Sequence, residues 1–182
     1  MSVSPYLVNV RDLVHRPGDM RERTLDFPAP EQLGEGAAVV RAGENIHIDL
    51  RFEGLHEGIL VSAEVDTVAY GECVRCLDPV TIQVEVEFQE VFAYSVTEAF
   101  DFVVRDDQLD LEPVVRDAVV LSLPFQPVCR PDCSGLDPVT GERLPDGFEQ
   151  EIVEAHDPRW AALKDLQVTT DSTTDTDNNE KR

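Results

Sequence analysis

The residues of this chain best suited to chemistry are its four cysteines, which come as two close pairs, Cys73-Val74-Arg75-Cys76 and Cys129-Arg130-Pro131-Asp132-Cys133. Such short spacings let both thiolates of a pair face one ion from a tight turn, and two pairs complete a tetrahedral sulfur shell. That shell suits a structural zinc ion, because four thiolates leave no open position for water or substrate. The separation between Cys76 and Cys129 is longer than in a small zinc finger. Loop-closure entropy grows only logarithmically with length, so a folded sheet can bring the pairs together at little extra cost. Two alternatives stand beside this reading. A redox-active CxxC belongs at a helix N-terminus after a strand, and β-type runs flank Cys73 and Cys76 instead. Four unligated thiols, packed or exposed, are the other alternative.

Little else in the sequence suggests catalysis. There is no GxSxG, P-loop, dinucleotide fingerprint or HExxH, and His15, His47, His56 and His156 are scattered. The expectation is that the protein is not an enzyme. Glu64, Asp66, Glu85 and Glu87 form a carboxylate-rich group, but alternation alone accounts for them as the solvated face of a sheet.

The elements that must position the cysteines are mostly strands. Ile46, Ile48, Leu50 and Phe52 alternate with His47, Asp49, Arg51 and Glu53, the period-2 pattern of a half-buried strand. Gly54 and Gly58 bracket a turn, and Ile59, Val61, Ala63 and Val65 continue the alternation. Ile82, Val84, Val86 and Phe88 repeat it beyond the first cysteine pair, which places that pair at a hairpin tip. Short strands are expected within 6–12 and 100–104. Residues 15–36, rich in Pro and Gly and with arginines interrupted by acids, read as a solvated loop. A helix is expected from Asp110, acting as N-cap, with Pro113 in its first turn and Leu111, Val114, Val115, Ala118 and Val119 on its apolar face, ending before Pro124. The second cysteine pair follows in a compact loop. A short helix carrying Trp160 is expected near the C-terminus, with a disordered tail from Thr169.

Composition narrows the partners. With 15 Lys plus Arg against 37 Asp plus Glu, the 182-residue chain has a formal net charge of −22. Such a chain repels a nucleic-acid backbone unless its basic residues gather on one face, and it attracts basic proteins. Arg75, Arg130 and Arg143 all lie in or near the cysteine loops and are candidates for a local RNA or phosphate contact. No signal-type or membrane-spanning apolar run is present, so a cytoplasmic location with reduced thiols is expected, with no membrane partner and no small-molecule substrate.

The segment Cys73-Val74-Arg75-Cys76-Leu77-Asp78-Pro79, the helix from Asp110 to Leu123-Pro124, and Cys129 to Cys133 followed by Ser134-Gly135-Leu136 together resemble the YceD family. These are bacterial and plastid proteins linked to accumulation of large-subunit ribosomal RNA. The resemblance extends over roughly residues 5 to 145 and is most specific across 71–80 and 109–136. It implies a role in synthesis, processing or stability of 23S rRNA and supplies no reaction or active site. With no catalytic motif in the chain, the expectation is a non-enzymatic factor with ribosomal RNA or large-subunit ribosomal proteins as partners. The alternative is an acidic module that binds a basic ribosomal protein without touching RNA. Many family members continue with a further CPxCG, where this chain reads Asp137-Pro138-Val139-Thr140-Gly141. Two possible ligands are missing there, and Asp137 offers an oxygen in their place. The expected organisation is a YceD-like domain over 1–145 with two Cys knuckles, an extension over 146–168 and an acidic tail over 169–182. The expected fold is α+β: a mostly antiparallel sheet with one main helix and a Cys-knuckle loop region.

Overall fold

The three alternating runs become the three longest strands of one antiparallel ladder in a computed structural model, which describes residues 4–95, 100–145 and 147–148. Strand β1 (Leu7–Asn9) is followed by β2 (Met20–Pro28), β3 (Ala38–Val39), β4 (Asn45–Gly54), β5 (Gly58–Glu72), β6 (Pro79–Ala93), β7 (Phe102–Val103) and β8 (Gln108–Asp110), and then by helix α1 (Glu112–Ser122). The main sheet runs β2-β4-β5-β6-β7, with β3 pairing to β5 near its far end; β1 and β8 form a separate two-stranded ribbon. Only the β6–β7 pairing is parallel among these.

The fold class departs from expectation. Among the described residues a single 11-residue helix stands against eight strands, so this is a β fold carrying one helix rather than an α+β fold. The cysteine loops likewise form a cluster of thiols rather than a separate knuckle element. A further correction concerns residues 15–36. Residues 20–28 within this expected loop form β2, whose register to β4 runs from Met20 opposite Glu53 to Pro28 opposite Asn45. Only Leu25 and Phe27 of β2 are apolar and buried. The strand takes its place from β4's unpaired backbone groups, and its charged residues suit a sheet edge.

Period-2 burial then assembles the core. Ile46, Ile48 and Phe52 of β4 and Ile59, Val61 and Val65 of β5 are fully buried, each such side chain contributing about 1.5–3 kcal/mol. Val114, Val115 and Val119 of α1 join the same core, with Leu109 and Leu111 leading into the helix. The helix begins one residue later than a cap at Asp110 would place it. Leu111 is the N-cap, and the Asp110 carboxylate instead accepts a hydrogen bond from the Glu112 amide at 3.1 Å.

On the opposite face the polar residues stack in register. Glu64 lies opposite Glu87 and Asp66 opposite Glu85, so the carboxylate-rich group places like charges directly across the ladder, an arrangement that disfavours pairing. By chain contacts the protein divides into Met1–Phe148 and Glu149–Arg182. The helix expected around Trp160 and the tail expected from Thr169 lie outside the described residues. No helix among the described residues is long and apolar enough to cross a membrane.

Candidate metal centre

The β5–β6 hairpin runs in register from Gly58 opposite Ala93 to Glu72 opposite Pro79, so its tip is residues 73–78, the first cysteine pair. A tight turn is drawn there by backbone bonds: the Cys73 amide donates to the Asp78 carbonyl at 2.7 Å, and the Leu77 amide to the Cys73 carbonyl at 2.8 Å. Leu77 takes a left-handed conformation (φ 61°) to close it, which is unfavourable for a residue with a Cβ. The second pair lies on the loop beyond α1, turned by the Cys133 amide donating to the Arg130 carbonyl at 3.2 Å.

These two loops lie against each other. The Val74 amide donates to Pro127 at 2.9 Å, and the Leu136 amide to Arg75 at 3.1 Å. The Arg75 guanidinium reaches across to the carbonyls of Pro131 (3.1 Å) and Cys133 (2.9 Å). Gly135 (φ 81°) permits the approach: a Cβ there would stand 3.0 Å from the Arg75 carbonyl oxygen.

The result is one sulfur cluster. Cys73 Sγ lies 3.9 Å from Cys133 Sγ, Cys76 Sγ lies 3.7 Å from Cys129 Sγ, and all four sulfurs fall within 4.8 Å of one another. Sulfurs held at ~2.3 Å from a central ion at tetrahedral angles are about 3.8 Å apart, so the donor set and its spacing fit an ion such as zinc. Cys73, Cys76 and Cys133 are buried while Cys129 is exposed, leaving the cluster open to solvent on one side.

The electrostatics point the same way. Burial disfavours the Cys73 thiolate, but N–H groups of Cys129, Cys76 and Arg75 aimed at its sulfur outweigh that and lower the thiol to about 6. At Cys76 the Asp78 N–H favours ionisation, yet burial and the sulfurs of Cys73, Cys129 and Cys133 push the thiol up to about 12. Burial and the neighbouring Cys133 raise Cys129 as well. Cys73 ionises readily, while Cys76 and Cys129 resist. Four thiolates at this spacing need a cation among them.

The three candidate arginines reach groups of their own chain. Arg75 ties the loops together, Arg143 pairs with Asp78 and holds that carboxyl below its ordinary range, and Arg130 lies 3.5 Å from Asp132. Asp137 is not among the potential ligands. Its carboxylate accepts from the amides of Val139 (2.7 Å) and Thr140 (2.8 Å), which lower its pKa, so a carboxylate organises the turn where the resemblance led one to expect two more thiols. The role of Arg75 as a cross-link and the demand for glycine at 135 were not apparent from the sequence, since both depend on the second loop being adjacent.

Residues 61–167 match the family described as Large ribosomal RNA subunit accumulation protein YceD. A protein of Mycobacterium tuberculosis (strain ATCC 25618 / H37Rv) is 41% identical over 172 residues, covering 90% of this chain and 82% of the relative. One from Mycobacterium leprae (strain TN) is 36% identical over 173 residues, covering 90% and 78%. The YlbN protein of Bacillus subtilis (strain 168) is 29% identical over 99 residues, covering 52% and 58%. No solved structure matches the chain.

Proposed function

The chain belongs to the YceD family, and from that premise we propose that it is a non-enzymatic factor in large ribosomal subunit biogenesis, supporting the synthesis, processing or stability of 23S rRNA in the cytoplasm. The observation that supports the non-enzymatic part is the convergence of four thiols on one point. Cys73, Cys76, Cys129 and Cys133 would hold a zinc ion with all four positions filled, where it supplies structure and not an activated water. Its contribution is to clip the loop after α1 to the hairpin tip.

Elemental analysis of the purified chain tests the metal: one zinc per chain with four protected thiols is expected, and a metal-free chain with four reactive thiols would refute it. Replacing the wild-type gene with a Cys73→Ser, Cys76→Ser version tests the role, with a fall in 23S relative to 16S rRNA expected. An unchanged ratio in cells lacking the protein altogether would remove the biogenesis reading.

A second reading has its own support. Arg75, Arg130 and Arg143, the candidates for RNA contact, each reach groups of their own chain, and the sheet presents directly opposed carboxylates. Both favour an acidic module that binds a basic ribosomal protein without touching RNA. A pull-down repeated after nuclease treatment separates the two readings: a ribosomal protein retained after nuclease supports this one. Its loss, together with RNA binding abolished by Arg130→Glu, supports direct RNA contact.

A further inference from the structure

Large apolar side chains left in solvent are unevenly distributed in this molecule. Of those that are exposed among the described residues, all but Met20 lie at 74–77 or beyond residue 120. Phe125 is 97% exposed and Leu121 85% exposed, on either side of the point where α1 gives way to the loop. Beside them lies a groove of about 280 Å³ between Gly34–Ala38 and Val120–Phe125, with Ala37, Ala38, Val120 and Leu123 along it. Val128 and Val74 are exposed a few residues on, brought together by the Val74–Pro127 backbone bond. An aromatic ring exposed next to an apolar groove has the form of a binding hot spot, in which a large anchor and a pocket are offered together.

The charges around this patch select its occupant. Glu35 lines the groove and is exposed, and the last turn of α1 carries no basic residue to meet its negative end. The arginines of this region already have partners: Arg116 pairs with Glu31 and Glu112, Arg41 stacks 4.3 Å over Tyr70, and Arg75 holds the cysteine loop. With a net charge of −22, a second copy of this chain would meet repulsion here, and a cationic segment would meet attraction.

We propose that the groove between Gly34–Ala38 and Val120–Phe125 is a docking site for a cationic amphipathic protein segment, which seats an apolar side chain against Phe125 and sets its basic residues against Glu35 and the end of α1. This rests on the protein-contact reading above and gives it a location. The cysteine cluster enters because its loop carries Val128 and begins directly after Phe125, so the clip holds one wall of the patch in place.

The test uses a short fluorescent Leu/Lys helical peptide as probe, titrated by anisotropy against the full metal-bound chain. Three further probes accompany it: the same peptide with Ser for Leu, one with Glu for Lys, and an oligouridine RNA. The Leu/Lys peptide should bind, and the Ser and Glu versions should bind at least about tenfold more weakly. Phe125→Ser should weaken the Leu/Lys peptide about thirtyfold, the size of effect expected for an aromatic anchor. Glu35→Lys should weaken it by about three- to tenfold. A benzophenone on a central leucine position should crosslink to the Gly34–Ala38 or Val120–Phe125 segments. Both substituted side chains are exposed, so melting temperature and metal content should stay at wild-type values.

Equal binding of the Leu and Ser peptides, or no change on Phe125→Ser, would overturn the proposal by assigning the attraction to the carboxylate face of the sheet. Tighter binding of oligouridine that is lost on Phe125→Ser would overturn it in favour of RNA. A dimer in sedimentation that is abolished by Phe125→Ser would overturn it in favour of a second copy. The biogenesis reading is tested separately, by 23S rRNA levels in cells carrying Phe125→Ser. Weakened peptide binding with unchanged 23S rRNA would leave the docking site standing and remove its link to the ribosome.

Discussion

The body and the tip of the β5–β6 hairpin belong to one continuous ladder, yet they are held in shape by different physics. In the body, Val61 and Val65 face a core that includes Phe52, Ile48 and the valines of α1, and burial alone accounts for the arrangement. At the tip, the apolar side chains packed against Cys73, Cys76 and Cys133 among the described residues are Val80 and Leu136. A cluster of that size does not hold two loops together by apolar burial, so the Arg75 guanidinium and the Val74–Pro127 and Leu136–Arg75 backbone bonds join them, around four sulfurs placed so that they could hold a metal ion. Local alternation builds the first region; a meeting of distant segments builds the second.

The contrast is testable from either side. Phe52→Ala should have the largest effect. It empties a fully buried position in the body and should lower global stability by about 3–5 kcal/mol, measured as a shifted urea midpoint, with the metal retained in the fraction still folded. Cys73→Ser, or chelation of the wild-type chain, should do the reverse. Metal should be lost and hydrogen-exchange protection should fall across residues 127–144, while the β4–β5–β6 ladder keeps its protection. Equal loss of protection in the ladder would show that tip and body are one cooperative unit.

Gly135→Ala sharpens the picture at smaller cost. The residue has φ 81°, and its added Cβ would meet the Arg75 carbonyl oxygen at 3.0 Å. The expected penalty is about 1–3 kcal/mol, confined to the tip and visible as weaker zinc retention against a chelator. The smallest effect is expected at Asp137. The amides of Thr140 and Val139 hold its carboxyl below the usual 3.8, so its contribution is present above that value and lost as pH falls through the lower folded value. Asp137→Asn should remove that acid dependence from the exchange of the Val139 and Thr140 amides and leave the ladder unaffected.

How far the sequence could be read follows the same division. The strands holding Ile46 to Phe52, Ile59 to Val65 and Ile82 to Phe88 were legible because each buries one face of its own alternation. Strand β2 was not, and was read as loop, because an edge strand with two buried apolar residues carries almost no period-2 signal. The α+β expectation failed for a related reason. A clear helical pattern at Glu112–Ser122 says that a helix exists, but not that short strands such as β3, β7 and β8 outnumber it around the core.

At the cysteines, residue type and spacing by themselves determined that two thiol pairs existed and that each could face one ion from its own turn, since a turn's geometry is local. Only the tertiary structure decided that the two pairs face each other, that the sulfurs stand 3.7 and 3.9 Å apart across the pairs, that Arg75 cross-links the loops, and that Asp137 organises a turn instead of joining the cluster. Those outcomes depend on contacts between segments far apart in the chain. Such contacts are fixed by how the sheet and α1 pack, and no local pattern encodes them.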